Sequence, residues 1–331
     1  MIGSSSVEVE RKALAILRVL QETNEPLGAR IIARQLKEHG IDLTERAVRY
    51  HLKLMDERGL TRSVGRDGRV ITTAGMEEVQ NALVSDKVGF VINRIELLAY
   101  QTTFDCKTST GLVPMNTSFI PTAKMDQALA AMKKVFKAGL CVSDLVAVAK
   151  EGETLGETVV PKGKVGLATV CSIVVNGALL RSGVPINSVF GGILQIRQRQ
   201  PLRFVELIHY AGSSLDASGV FIRGRMTTVA QAARRGEGKV LANFREIPAQ
   251  CHSVAGAVIA ELREARLGGL MAMGHPGESV CEVPVGTDRV GIILIGGMNP
   301  IAAVEESGIE TENYAMTSVI EYGRLGSFWD L

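Results

Sequence analysis

Two short runs in the second half of the chain combine residue types that bind anions. The run Asn243-Phe244-Arg245 ends in an arginine, whose planar guanidinium can hold a carboxylate through two parallel hydrogen bonds. The run Gly296-Gly297-Met298-Asn299-Pro300 predicts a glycine turn at the start of a helix, with Asn299 as the cap and backbone N–H groups facing an anion. Each run also allows a plainer interpretation, which is a surface charge pair between Arg245 and Glu246 or a tight turn without a ligand.

These runs belong to a sequence that occurs twice in the chain. Residues 145–183 match residues 270–308 without a gap at an offset of 125, and residues 111–121 match residues 238–248 at an offset of 127. A duplicated α/β unit often binds a small ligand between its halves. The first offset places Cys171 and Ser172 on Gly296 and Gly297. The predicted ligand-binding residues are therefore Cys171, Ser172, Asn243, Arg245, Gly296, Gly297 and Asn299.

A third match, at an offset of 110, aligns residues 96–100 with residues 206–210. The step from 110 to 127 predicts 17 additional residues in the second copy, between about Gly219 and Gly236. This segment holds four arginines, Arg223, Arg225, Arg234 and Arg235. It is interpreted either as a solvated surface insertion or as a place where the two copies differ in function.

A second group of residues suits the phosphates and base edges of DNA. Residues 44–70 contain seven basic and four acidic residues, a balance of +3 (7 − 4) in a chain whose net charge is +2. Arginine can offer paired donors to guanine or phosphate, and lysine suits a phosphate. The predicted DNA-binding residues are Thr44, Arg46, Arg49, Tyr50, Lys53, Arg62, Arg66 and Arg69. The alternatives are a winged helix that binds protein and a solvated charged face.

The elements that would position these cations form a winged helix-turn-helix. Helices are predicted over residues 8–22, 29–38 and 45–58, and the third buries Val48, Leu52 and Met55 on one face. Two short strands flank a hairpin turn at residues 65–68. A helix capped by Thr73 and a linker helix over residues 76–87 follow. The third helix would enter the major groove, and the hairpin would lie along the DNA backbone.

Strands alternate with helices in both copies of the repeated unit, which predicts mixed α/β subdomains. Strands are predicted at residues 95–101, 111–121, 145–149 and 165–170, and again at residues 205–211, 238–248, 270–274 and 290–295. The predicted fold class is α/β, with an N-terminal winged helix-turn-helix domain over residues 1–80 and a regulatory domain over residues 86–331. The two copies are placed at about residues 86–200 and 201–331.

Composition predicts an ordinary globular protein. The 331 residues are 46% hydrophobic and 22% charged, with no apolar run near the roughly 18–20 residues that cross a bilayer and no signal-peptide pattern. A cytoplasmic location is therefore predicted. The five cysteines form no C-x-x-C pair, so reduced thiols are predicted, with Cys171 as the one candidate thiol sensor. No catalytic or metal-binding constellation is recognised, and His252 and His275 are each isolated in the sequence.

Two long runs, together with the order of the domains, carry a resemblance to a known family. They are residues 238–248 (GKVLANFREIP) and residues 289–300 (RVGIILIGGMNP). With a winged helix before the duplicated unit, the whole chain resembles the NrpR family of archaeal nitrogen regulatory repressors. The resemblance implies a homodimer that binds operator DNA of nitrogen-assimilation genes and releases it when the effector 2-oxoglutarate rises. It assigns no ligand residues.

Some members of that family carry two regulatory domains, whereas this chain has room for one. A second regulatory-domain protein is therefore a further expected partner. Two other classes remain open from the sequence: an enzyme fused to a winged helix, and a protein-binding adaptor that takes a different small molecule. The lack of a general base or metal cluster disfavours the enzyme, and salt-dependent binding to duplex DNA would exclude the adaptor.

Overall fold

The computed structural model describes residues 4–22, 25–38, 41–80, 89–156 and 158–331. The chain divides into two compact units, residues 1–87 and residues 88–331. Each unit has its own hydrophobic core. None of the helices in the described ranges is long and apolar enough to cross a membrane.

The first unit is the predicted winged helix-turn-helix. Its elements are α1 (Ser4–Glu22), α2 (Ala29–Glu38), α3 (Glu45–Glu57), β1 (Thr61–Ser63), β2 (Arg69–Ile71) and α4 (Thr73–Gln80). Helix α3 buries Val48, Leu52 and Met55, as the spacing predicts, and it also buries His51. The residue Leu27, between α1 and α2, pairs with Arg69 through two backbone hydrogen bonds of 3.0 Å. This bridge adds a third short strand to the β1–β2 hairpin.

The turn residues of this unit behave largely as predicted. The Thr44 hydroxyl accepts a hydrogen bond from the Ala47 amide and caps α3, at 3.2 Å. For α4 the cap is Thr72 rather than the predicted Thr73, because the Thr72 hydroxyl accepts from the Gly75 amide. In the hairpin, Gly68 has φ +121° and lies close to Leu27. A Cβ added at Gly68 would be 2.2 Å from the Leu27 carbonyl oxygen. Of the predicted linker helix, residues 81–87 lie outside the described residues.

The second unit is an α/β domain with two five-stranded sheets. Its helices are α5 (Phe90–Gln101), α6 (Met125–Lys137), α7 (Ile173–Arg181), α8 (Ala217–Arg223), α9 (Val229–Arg235), α10 (His252–Glu264) and α11 (Asn299–Glu306). Its strands are β3 (Leu112–Pro121), β4 (Leu145–Ala149), β5 (Thr154–Leu155), β6 (Thr158–Val159), β7 (Lys164–Val170), β8 (Asn187–Arg197), β9 (Gln200–His209), β10 (Gly238–Pro248), β11 (Leu270–Met273), β12 (Arg289–Ile295), β13 (Glu312–Glu321) and β14 (Gly326–Ser327).

The two copies exchange their last strands. One sheet has the order β13-β3-β7-β4-β14 and the other has the order β11-β12-β10-β8-β9. Strand β8 follows the first copy but pairs with β10 of the second, whereas β13 follows the second copy and pairs with β3 of the first. The two pairings are equivalent in register. Asn187 lies opposite Glu246, and Glu312 lies opposite Phe119. The offsets of 125 and 127 relate Asn187 to Glu312 and Phe119 to Glu246. The predicted limits of the copies therefore do not coincide with the two sheets, and the copies form one interlocked domain.

One predicted strand is wrong. Residues 95–101 lie in helix α5, where Val91, Ile95, Leu98 and Ala99 are buried at helical spacing. The apolar run from Ile95 to Ala99 resembles a buried strand because a short apolar run alone does not distinguish the two structures. Residues 206–209, by contrast, lie in strand β9. The alignment at offset 110 therefore matches a helix to a strand, and the insertion length deduced from it does not hold.

The asymmetry between the copies is nevertheless present, in the segment that connects them. This connection contains β9, α8 and α9, and the last two elements fall on the arginine-rich segment that the sequence indicated. The N-terminus of α9 is anchored to the second copy by Glu306, the last residue of α11. Its carboxylate accepts hydrogen bonds from the amides of Val229 at 2.6 Å and Ala230 at 2.8 Å, and from the Thr227 hydroxyl at 2.8 Å.

Candidate functional site

The predicted DNA-binding residues lie mostly on an exposed face of the first unit. On α3, the side chains of Arg46, Arg49, Tyr50 and Lys53 are exposed, and Arg49 forms an ion pair with Glu45 one helical turn earlier. On the hairpin, Arg62 and Arg66 are exposed as well. A helix that carries exposed arginines beside a basic hairpin has the arrangement by which winged helices contact the major groove and the adjacent phosphates.

Arg69 has a different role from the other cations. Its Nε donates to Asp56 Oδ2 at 2.7 Å, and Asp56 Oδ1 accepts from the Thr61 hydroxyl at 2.6 Å. Both charged side chains are about three-quarters buried, with relative exposures of 29% and 26%. Arg69 therefore braces the hairpin against the end of α3 and is less available to DNA than Arg62 or Arg66.

The predicted ligand-binding residues converge on one small cavity in the second unit, with one exception. The cavity is lined by Cys171 and Ser172 at the start of α7, by Asn243 and Arg245 on β10, and by the Gly296-Gly297 turn before α11. It lies between the two copies, since equivalent turns face it from both. Its volume is about 20 Å³, which is room for about one water molecule.

Arg245 is the largest fully buried side chain of the chain's described part and is only 1% exposed. Its Nη2 donates to Ser172 Oγ at 3.0 Å. Its Nε and Nη1 are buried and have no hydrogen-bond partner among the described residues. No described carboxylate lies within ion-pair distance of it, so the surface pair with Glu246 is excluded. Burial of a charge without a counter-ion costs free energy of folding, because the interactions of the charge with water are lost and are not replaced.

The neighbours of Arg245 form a polar network. Ser172 Oγ accepts a second hydrogen bond, from Asn243 Nδ2 at 3.2 Å, and Asn243 Oδ1 accepts one from the Tyr210 hydroxyl. Asp216, which also lines the cavity, caps α8 by accepting from the Gly219 amide at 2.6 Å. This network is built from both copies and from the segment that connects them, and it contacts the guanidinium through Ser172.

Burial shifts the pKa values of the titratable groups at the cavity. It lowers the pKa of Arg245, while Tyr210 and Cys171 act in the opposite direction. It raises the pKa of Asp216, while hydrogen bonds from the Gly219 and Ser218 amides act in the opposite direction. It also raises the pKa of Cys171 to about 11, which keeps the thiol protonated at neutral pH and argues against a thiol sensor.

The Gly296-Gly297 turn is a close contact between the copies. A Cβ on Gly297 would be 2.2 Å from the Val170 carbonyl oxygen of the first copy, and one on Gly296 would be 2.7 Å from Leu241 Cβ. The Gly296 amide donates to the Leu241 carbonyl at 2.8 Å and is not free for an anion. The glycines are thus explained by tight packing, and the plainer interpretation of this turn accounts for most of what it does.

Asn299 is the predicted residue that does not reach the cavity. It is the first residue of α11 rather than its cap, and it is completely buried. Its amide side chain accepts from the Leu241 amide at 2.8 Å and donates to the carbonyls of Leu241 and Gly296. Asn299 therefore fastens the turn to β10, which explains a polar residue at this position without a ligand.

Several cavity residues were not singled out from the sequence, among them Asn116, Tyr210, Asp216 and Met316. Asn116 could have been found, because an offset of 127 places it on Asn243. Its Oδ1 accepts from the Met316 amide at 3.1 Å, where Met316 has the uncommon φ of 55° for a non-glycine residue. Tyr210 and Asp216 belong to the connecting segment. The one sequence match that includes Tyr210, at an offset of 110, is wrong, so the repeat indicates neither residue.

His252 and His275, predicted to be isolated, stack on each other with ring centroids 5.7 Å apart. They do not extend into a metal site: the described residues contain no group of three or more histidines, cysteines or carboxylates that could hold a metal ion.

The comparisons with known proteins agree with both units. Residues 88–327 match the family described as NrpR regulatory domains NRD1 and 2, and residues 14–79 match the winged-helix domain described for ribonuclease R. A global nitrogen regulator NrpRI of Methanosarcina mazei is 39% identical over 95% of this chain and 97% of its own length. NrpR of Methanococcus maripaludis is 33% identical over 95% of this chain but 54% of its own length. The chain therefore spans about half of that longer relative.

The solved structures include a similar protein. The crystal structure of a nitrogen repressor-like protein from Methanococcus jannaschii superimposes with a TM-score of 0.61 at 28% identity, covering 73% of this chain and 98% of the other. A winged helix followed by a match to the NrpR regulatory domains places the chain among regulators of transcription. The chain belongs to the NrpR family of global nitrogen regulators.

Proposed function

We propose that this protein binds operator DNA of nitrogen-assimilation genes as a repressor and that 2-oxoglutarate, bound at the Arg245 cavity, relieves repression. Its relatives are named global nitrogen regulators, and the exposed arginines on α3 and on the hairpin supply the cations that duplex DNA requires. The observation that supports the effector is the buried Arg245, whose Nε and Nη1 have no partner.

The residues at the cavity fit a carboxylate. Arg245 offers two unused donors, and Ser172, Asn243 and Tyr210 offer polar groups beside it. An anion placed here would satisfy the guanidinium by charge-assisted hydrogen bonds. The chain's own residues would therefore bind and orient a carboxylate, and the keto acid would supply the negative charge.

The size of the cavity bears on the mechanism. A volume of about 20 Å³ is far too small for a five-carbon dicarboxylate, so binding requires the walls to move apart. These walls belong to both copies and to the connecting segment. An effector that binds only the opened arrangement shifts the equilibrium by its difference in affinity for the two states. In a homodimer, such a change would alter the spacing of the two recognition helices, which must match half-sites about 34 Å apart.

The proposal is tested by thermal unfolding of the full chain with 2-oxoglutarate, and with succinate and glutamate as controls. A ligand at about 100 times its dissociation constant adds about 2.7 kcal/mol to the unfolding free energy of the unit that binds it. A rise in unfolding temperature with 2-oxoglutarate alone supports the effector assignment. A protein that binds DNA but shows no rise would keep its regulator role and lose this effector.

A further inference from the structure

Six cations gather at one end of the second sheet, away from the residues that surround Arg245. Arg197 and Arg199 lie at the tip of the β8–β9 hairpin, Arg225 lies between α8 and α9, and the others lie at or just after the end of α9. We name as the basic end the set Arg197, Arg199, Arg225, Arg234, Arg235 and Lys239. All six are exposed, and none forms an ion pair with a described carboxylate.

The fold places these cations together although the sequence spreads them over more than forty positions. Arg197, Arg225 and Lys239 line a single surface cavity of about 680 Å³, which also contains Glu206 and Glu237. The Arg199 amide donates to the Gly236 carbonyl at 2.9 Å, which ties the hairpin tip to the end of α9. The lining of this cavity contains three of the six cations and two carboxylates, a balance of +1 (3 − 2), and Arg199, Arg234 and Arg235 lie outside the lining.

The backbone at the basic end is unusual for arginine. Gln198 and Arg199 form the two-residue turn of the β8–β9 hairpin with φ values of 53° and 63°, and Arg225 has φ 52°. Two-residue turns with two positive φ angles strongly favour asparagine and glycine, because other side chains are strained there. Positions where glycine would relieve strain but arginine stands are candidates for a role of the side chain itself.

We propose that the basic end is a second contact surface for the phosphate backbone of duplex DNA. This inference rests on the proposed function, because the chain is taken to bind duplex DNA through α3 and the hairpin of the first unit. Several unpaired arginines within one surface suit the high charge density of duplex DNA, which carries one negative charge per about 1.7 Å of its axis. The contact adds affinity without reading sequence, since phosphates carry no base information.

The basic end is also connected to the Arg245 cavity. Helix α11 begins after the Gly296-Gly297 turn at the cavity and ends at Glu306, whose carboxylate holds the N-terminus of α9. Helix α9 then leads to Arg234 and Arg235. A ligand that moves α11 at the cavity wall would therefore also move α9, which carries part of the basic end. The second contact is in this way placed under effector control.

The test is the salt dependence of DNA binding by the full chain. The probe is a labelled duplex of about 60 base pairs that carries, near its centre, a site selected by the protein from random sequence. The test variant is Arg197→Gln/Arg199→Gln/Arg225→Gln. The control is Lys124→Gln/Lys150→Gln/Lys162→Gln, which removes the same charge from exposed lysines on the first copy.

Each phosphate contact that is lost should reduce the slope of log affinity against log salt by about 0.9. The test variant should therefore have a shallower slope than wild type by roughly one to three units, and the control should match wild type. A single variant, Arg199→Gly, should also reduce the slope while it raises the unfolding temperature, because glycine relieves the positive φ.

The outcomes separate this inference from the proposed function. A wild-type protein that binds no duplex would overturn the proposed function and the inference with it. A wild type that binds, with a test variant of unchanged slope and intact unfolding transition, would overturn the inference alone and leave the basic end as a surface for an acidic protein. A control variant that loses as much slope as the test variant would also contradict it, because the effect would then be one of net charge.

Discussion

Arg245 on β10 and Ser172 at the start of α7 form a hydrogen bond of 3.0 Å that joins the two copies of the repeat across their shared cavity. This is the one hydrogen bond that the buried guanidinium makes among the described residues, and its other two nitrogens are unpartnered. A buried charge held in this way contributes little to stability, and it leaves two donors without a partner among the described residues. This relationship gives rise to the first prediction.

Replacement of Arg245 by methionine should leave the protein without ligand at least as stable as wild type. Methionine fills similar space without a buried charge, and exchanges of buried charged groups for apolar ones are often neutral or stabilising by about 1–4 kcal/mol. The thermal shift caused by 2-oxoglutarate should disappear in the same variant. Thermal unfolding with and without ligand measures both effects. A structural role for Arg245 would instead appear as a large loss of stability.

The Gly297→Ala substitution should destabilise the second unit by about 1–3 kcal/mol, because its Cβ would be 2.2 Å from the Val170 carbonyl oxygen. Neither backbone can give way cheaply, so the two copies must separate locally. The matched control is Gly323→Ala, whose Cβ would meet nothing within 4 Å. Urea unfolding compares the two variants, and equal stabilities would show that the copies do not pack as described at this turn.

Glu306→Ala should weaken the coupling between the cavity and α9 while leaving the affinity for the effector near the wild-type value. The substitution removes the acceptor of the Val229 and Ala230 amides. We expect the effector to release DNA about fivefold less effectively or worse, which is the size of a typical coupling energy. Calorimetry and DNA-binding titrations give the two quantities. Glu310→Ala, at an exposed residue nearby, is the control and should behave as wild type.

The stability of the winged helix should fall in mild acid because of His51. Burial lowers the pKa of His51 below its usual value of 6.5, and Lys12 lowers it further, so the folded state favours the neutral ring. Above the pKa of His51 in the unfolded state, the ring is neutral in both the folded and the unfolded state, and the stability from packing it is fully present. As the pH falls below about 6.5, the unfolded state binds the proton first and this stability is lost. His51→Phe should remove the decline between about pH 7 and pH 5, as followed by urea unfolding of the full chain.

Arg66 and Arg69 lie on the same hairpin but should respond differently to substitution by glutamine. Arg66→Gln should reduce the salt slope of DNA binding by about 0.9 and change stability by less than about 0.5 kcal/mol. Arg69→Gln should cost roughly 1 kcal/mol of stability, because its partner Asp56 is then left partly buried without a counter-charge. A salt series and a thermal melt of each variant distinguish the two roles, and identical behaviour would contradict the structure.

The repeat explains why much of the site could be predicted. The offset of 125 aligned the turn at Cys171 with the turn at Gly296, and the fold brings both turns to one cavity. Arg245 was found as an arginine in a predicted strand, and its counterpart in the other copy, Ser118, is uncharged. Periodicity located the winged helix because Val48, Leu52 and Met55 have a single strong spacing.

What the sequence did not reveal depends on tertiary pairing. The exchange of β8 and β13 between the sheets leaves no local signal in the sequence, because the residue pattern of a strand does not indicate which strand it pairs with. Helix α5 was predicted as a strand because its apolar run is short. The alignment with β9 rested on a few matching residues at an offset of 110, and these do not distinguish a helix from a strand. The gathering of Arg197, Arg225 and Lys239 arises from strand register and a helical connection, which composition along the chain cannot show.

The most direct test of the account is the release of a selected DNA duplex by the full chain as 2-oxoglutarate is added, in wild type and in Arg245→Met. Fluorescence anisotropy of the labelled duplex gives the affinity at each effector concentration. We predict that the effector weakens wild-type binding by about fivefold or more, and that the variant binds the duplex as tightly as wild type but does not respond. An effector response retained in Arg245→Met would contradict the assignment of this cavity as the effector site.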